Sequence, residues 1–188
     1  MKSMTVTLLL VAGGAWSVCR AQQTRWTITV CLNPVGLATQ IYRAEATASQ
    51  ILKDARVRIS WRGDVRVCSA PGSGILITVS DHTPSERKPG ALASAQPYER
   101  THVFLFYDRI IGSVKPDAVP TLLGHVLAHE IVHMLQGVAV HMQEGLMKAQ
   151  WDHRDFVEMQ RRPYRLTELD IGMIHSGLAK SPWGGPVQ

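Results

Sequence analysis

The sequence predicts one α/β domain, and three observations carry that expectation. β-rich runs recur at Trp26–Leu32, Val57–Trp61, Ile75–Ser80 and His102–Tyr107. Two longer stretches, Gly36–Ala55 and the region around Gly124–Leu135, instead repeat their apolar residues at helical spacing. Strand-like and helix-like runs therefore share one chain of 188 residues, with no internal repeat and no low-complexity block between them.

The first segment, Met1–Ala21, reads as a secretory leader. Lys2 supplies the positive start, Thr5–Trp16 the apolar run, and Cys19-Arg20-Ala21 the small residues at the two positions that cleavage requires. That run is too short to span a bilayer. No other stretch reads as long and apolar enough, so the expectation is a secreted or periplasmic protein without stable membrane insertion. Residues 22–188 then form the domain. The formal charge of +5 falls by two when Lys2 and Arg20 leave with the leader. The remaining basic residues are scattered, with no aromatic-interleaved basic stripe, so nucleic acid is not an expected partner and a monomer is. Two cysteines remain, Cys31 and Cys68, each ending a short strand-like run. In an oxidising compartment a disulfide between neighbouring strands is expected, against the alternative of two buried thiols.

Trp26–Leu32 alternates and is the first expected strand; Pro34 breaks it. Gly36–Ala55 places Leu37, Ile41, Ala44, Ala48, Ile51 and Leu52 on one helical face. Val57–Trp61 is the second strand. A polar, glycine-rich connection through Pro71-Gly72-Ser73-Gly74 leads to the third, Ile75–Ser80. Charge and proline make Asp81–Gly90 a loop, Gly90–Ala95 is a candidate short edge strand, and His102–Tyr107 is a buried strand. Pro116–Pro120 leads into the next helix, expected to be amphipathic, with Leu122, Leu123, Val126, Leu127, Ile131, Val132 and Leu135 on its apolar stripe.

This helix carries His129-Glu130-Ile131-Val132-His133, a His-Glu-x-x-His pattern. Positions i and i+4 lie one turn apart on the same face. Two imidazoles there can reach one zinc ion, with Glu130 beside them to take a proton from the water that the metal activates. Catalytic zinc usually has three protein ligands and an open position. The best third ligand is His141, because Gly137 is placed to cap the helix in the left-handed conformation and turn the chain back. Glu144, Asp152, Asp155 and Glu158 are the alternatives, since some zinc hydrolases take a downstream carboxylate. His125 stands one turn before His129, but at a 1.5 Å rise per residue the outer pair of the three would be ~12 Å apart. One ion cannot hold all three, so His125 is expected behind the site or on the surface. His82, His102, His153 and His175 read as ordinary.

With the glycine turn, the third histidine and Gly145-Leu146-Met147-Lys148-Ala149, the chain resembles the zincins, within them the metzincin-like branch, and bacterial secreted proteins of the same type. Gly137 and His141 stand four and eight residues after His133, wider than the strict pattern of that branch. At the level of motif the resemblance covers Gly124–Ala149; at the level of element order it covers most of the domain. It implies a zincin-like mixed sheet, a small mainly helical C-terminal part, and Met147 as a structural residue beneath the metal. It also implies an edge segment, Gly90, Ala91, Leu92 and Ala93, that pairs with an extended peptide. The activity implied is zinc-dependent hydrolysis of a peptide or protein substrate. Some members carry a tyrosine two residues after the methionine; Ala149 stands there. A zinc amidase and a zinc-binding scaffold without turnover are the other readings. Beyond the motif, Asp152–Gln160 reads as a helix capped by Asp152. Thr167 opens another with Asp170 at the capping-box position, to about Lys180, and Ser181–Gln188 as a frayed tail.

Overall fold

The computed structural model describes residues 26–32 and 38–183, so the expected leader and the last five residues lie outside them. Five strands form one sheet: β1 (Trp26–Leu32), β2 (Val57–Arg62), β3 (Ile75–Ser80), β4 (Ala93–Ala95) and β5 (His102–Phe106). Their order is β2-β1-β3-β5-β4, with the first four parallel and β4 antiparallel on the edge. Parallel neighbours need a crossover, and α1 (Ala38–Leu52) supplies the one from β1 to β2. The period-2 rule sends Trp26, Ile28, Val30 and Leu32 into the main core, while Cys31 points to the other face.

Four further helices follow: α2 (Tyr107–Ser113), α3 (Val119–Gln136), α4 (His153–Arg161) and α5 (Glu168–Leu178). The sequence reading missed α2; the expected strand loses Tyr107, which starts this helix. Helix α3 is not amphipathic. Apart from Thr121 every one of its residues is buried, because α1, α4, α5 and β4 all pack on it. With its leading turn it spans Pro116–Gln136, long and apolar enough on composition to cross a membrane, contrary to expectation; 94% of its apolar 18-residue window is buried inside the protein. Its apolar residues thus face protein. The crossing with α1 is tight at Gly124, where a Cβ would fall 2.6 Å from Thr47 Cβ and 2.9 Å from the Ala44 carbonyl oxygen. A side chain there would push the two helices apart.

The C-terminal helices start where their caps were expected. Asp152 and Thr167 each accept backbone N–H groups of the first turn, and Asp155 and Asp170 return the bond as capping boxes. The expected tail is only partly a tail: Trp183 packs against the core.

Cys31 and Cys68 form a disulfide. It does not join neighbouring strands. Cys31 lies within β1, whereas Cys68 ends a single 3₁₀ turn (Val65–Cys68) in the β2–β3 connection. Gly74 makes room for it, since a Cβ there would lie 2.7 Å from both Cys68 Sγ and the Thr29 carbonyl oxygen. The crosslink spans 37 residues, a loop whose closure is worth about 3–4 kcal/mol on the chain-entropy account. Cys31→Ala with Cys68→Ala is therefore expected to lower unfolding free energy by that amount in urea titrations. An unchanged midpoint, or two titratable thiols in the wild-type protein, would contradict this.

Candidate metal centre

The end of α3 is where sequence and geometry meet. His129 and His133 are one turn apart, and Gly137 caps the helix at φ 72°, its N–H donating to the His133 carbonyl at 2.9 Å. That left-handed residue reverses the chain, so the Val138 carbonyl faces His133 Nδ1 at 3.1 Å and His141 returns to the helix. His133 Nε2 then lies 3.0 Å from His129 Nε2 and 3.2 Å from His141 Nε2. A second turn, with Gly145 at φ 75°, brings the Leu146 carbonyl to 2.8 Å from His129 Nδ1.

These contacts decide the tautomers. A carbonyl oxygen only accepts, so Nδ1 of His129 and of His133 carries the hydrogen. In a neutral imidazole the lone pair is then on Nε2, and the two Nε2 atoms facing each other have no proton to share. Protonation is no remedy: burial pushes His129 down to about 4, with His141 adding repulsion. Burial, then repulsion from His129 and His141, pushes His133 down to about 3. His141, exposed at the mouth, is lowered by burial and then by Lys88. A cation between the rings resolves the conflict. Ligand nitrogens about 3.3 Å apart are what tetrahedral coordination at ~2.0 Å produces, and a backbone carbonyl on the remote ring nitrogen is the usual orienting partner of a metal-binding histidine. The donor set therefore fits a metal ion. Among the described residues these three are the group of metal-binding type whose ligand atoms lie within 4.8 Å of one another.

The competing carboxylates are engaged elsewhere. Asp152 and Asp155 cap α4 and hold Lys148 at 3.2 and 2.6 Å, Asp155 also accepts from Tyr164 Oη, and Glu158 pairs with Arg162 at 2.7 Å. Glu144 is exposed. His141→Ala is therefore expected to weaken metal affinity by at least ~100-fold in a competition titration, while Glu158→Ala leaves it nearly unchanged. The reverse ranking would assign the third ligand to a carboxylate.

Glu130 is buried beside the histidines, in a cleft of about 590 Å³ that His129, His133 and His141 also line. Burial pushes its carboxyl up to about 8, with the Ala95 amide pulling the other way. One wall of the cleft is Gly90–Ala95 and another is Lys148–Trp151, so Ala149 lies on the cleft wall. The edge strand is shorter and later than expected. Gly90 (φ 77°) and Ala91 belong to a turn, the Leu92 carbonyl accepts from Phe106 N–H at 3.0 Å, and β4 itself runs Ala93–Ala95. The strand thus has only three residues, and Gly90 and Ala91 lie in the turn closed by the Ala91 N–H donating to the Lys88 carbonyl at 3.2 Å.

Met147 is buried in the core, and its turn reaches His129 through the backbone of Leu146. His125 is neither at the surface nor in contact with the other two rings through a hydrogen bond. It is fully buried, bonded from Nδ1 to the Thr121 carbonyl at 2.7 Å, and accepts the Tyr164 amide on Nε2 at 3.1 Å. It ties α3 to the segment after α4. His102 and His175 bond to Thr78 Oγ1 and the Ala55 carbonyl, and His82 and His153 are exposed. Sequence reasoning missed Trp151, whose ring stands edge-on to His129 with centroids 5.4 Å apart, and Lys88 on the cleft rim. Trp151 follows the Gly145 turn closely, which was the one available signal.

Fold and site together define a mixed α/β domain with a three-histidine group able to hold a metal ion, crosslinked by one disulfide. No protein-family model matches the chain, and no curated protein matches it in sequence.

Proposed function

We propose that the protein is an exported zinc metallopeptidase of the zincin type. The observation that carries the reading is the convergence of three Nε2 atoms, two of them held as lone-pair donors by carbonyls behind their rings, with a buried carboxylate in the same cleft. Zinc bound there would polarise a carbonyl and lower the pKa of water to about 7. Glu130, which nothing in metal coordination requires, takes the proton from the attacking water on its carboxylate oxygen. A positive charge beside it lowers its raised pKa, so it is a competent base near neutrality. It then returns the proton to the leaving amine as the C–N bond breaks.

Substrate enters as an extended chain. β4 is the outermost strand and lines the cleft, so its edge, apart from the Ala95 N–H that donates to Glu130, can hold a peptide across the three histidines. The disulfide supports export, because such bonds persist in oxidising compartments. The purified full chain is expected to contain one zinc and to cleave an unstructured protein. Chelation should abolish cleavage, and restored zinc should recover it. Cleavage that persists after the metal is stripped would end the reading.

A further inference from the structure

The three-histidine cleft carries a positive charge that no described residue balances. Lys88 lines it, as does His141, and is close enough for its charge to act on that imidazole. Among the described residues no carboxylate lies within ion-pair distance of Lys88. Lys148, the other lysine on the cleft wall, is neutralised instead by Asp155 at 2.6 Å and Asp152 at 3.2 Å. Glu130 is the one acid among the described lining residues, and it is buried beside the histidines.

The backbone that carries Lys88 is pinned. Arg109 Nη1 donates to the Lys88 carbonyl at 2.7 Å and to the Ala91 carbonyl at 2.9 Å. Pro89 fixes the next φ, and the Ala91 N–H closes the turn on the Lys88 carbonyl. From this turn the chain passes through Leu92 into β4. Phe106 N–H donates to the Leu92 carbonyl and Gln96 N–H to the His102 carbonyl, so Leu92 and Gln96 face β5 and Ala93 turns its N–H and carbonyl outward. A peptide residue paired with Ala93 therefore has Lys88 just beyond the start of the strand.

We infer that the cleft selects peptides with a carboxylate close to the scissile bond, and that Lys88 is the residue that reads it. The inference rests on the cleft being the peptide-binding metal site proposed above. An unpaired ammonium beside a metal cation is repelled by it, and an anion placed between the two offsets that repulsion. A peptide with a cation at the same place meets two like charges, so the arrangement rejects as well as attracts. The carboxylate belongs to an aspartate or glutamate side chain or to the peptide's own C-terminus. Both present the same acceptor oxygens to the ammonium.

The test measures binding to the zinc-loaded full chain carrying Glu130→Gln, so that bound peptide is not consumed. Dye-labelled unstructured peptides with a glutamate walked along the sequence are compared by fluorescence anisotropy with their glutamine counterparts, each with a free or an amidated C-terminus. Glutamate at a defined position should bind about fivefold tighter, the upper end of what a solvent-screened ion pair contributes. The preference should fade as salt rises. In the same background Lys88→Gln should abolish it, and Lys88→Glu should turn it into a preference for lysine over glutamine. A Lys88-dependent preference that follows the free C-terminus instead assigns the site to terminal carboxylates. Equal binding of all these peptides, or a preference that Lys88→Gln leaves intact, overturns the inference. Cleavage by the chain with Glu130 intact is scored separately. Turnover of neutral and acidic peptides alike removes the role of Lys88 and leaves the peptidase reading. Charge-selective binding without any turnover keeps the role of Lys88 and ends the peptidase reading.

Discussion

Replacing His133 by alanine is expected to yield protein that purifies without zinc. Its Nε2 faces both other imidazoles, at 3.0 and 3.2 Å, so it is the shared member of the group. Two imidazoles are too few to hold a catalytic zinc. The size of the effect can be read from stability as well as metal content. At free zinc ~1,000-fold above its dissociation constant, binding to the native state alone adds about 4 kcal/mol, which for a domain of this size raises the melting temperature by roughly 10 °C. The wild type should show that rise on adding zinc to chelated protein, and His133→Ala should show none. Stoichiometric zinc in the variant would remove the basis of the proposed function.

Glu130→Gln is expected to separate chemistry from metal binding. The amide keeps the volume of the carboxyl and an acceptor oxygen, but it cannot take a proton. Burial already favours an uncharged group at this position, so folding should survive. Zinc content should also survive, because the three imidazoles are untouched. Turnover should fall by ~10²–10⁴, the usual loss on removing a general acid–base. Ligand variants, in contrast, should lose metal and activity together. If Glu130→Gln cleaves peptide at the wild-type rate with zinc bound, Glu130 is not the proton carrier. If the zinc-loaded wild type cleaves nothing in a broad peptide library, a metal-binding scaffold becomes the better reading.

Much of the molecule was legible because it is governed by neighbours in the chain. The strands β1, β2, β3 and β5 follow from runs of β-branched and apolar residues. Both C-terminal helices start at their capping residues, since Asp152 and Thr167 bond amides only two or three positions on. The three histidines could be nominated for related reasons: His129 and His133 by helical pitch, and His141 by the left-handed turn at Gly137.

Sequence by itself thus determined four of the five strands, the longer helices, the two C-terminal caps, the two cysteines and the three histidines able to hold a metal ion, because each rests on local stereochemistry or on residue type. Tertiary structure decided what those residues do to one another. It buried α3 on every side, which hydrophobic spacing alone cannot distinguish from a stripe facing one core. It put Cys68 on a 3₁₀ turn packed against β1 and β3 rather than on a strand beside Cys31. Asp152, Asp155 and Glu158 were withdrawn from metal binding through caps and ion pairs that depend on how α4 folds and packs. The carbonyls of Val138 and Leu146 were aimed at the rings. Backbone carbonyls are alike in every residue, so only the path of the chain through space selects which of them sets a histidine's tautomer.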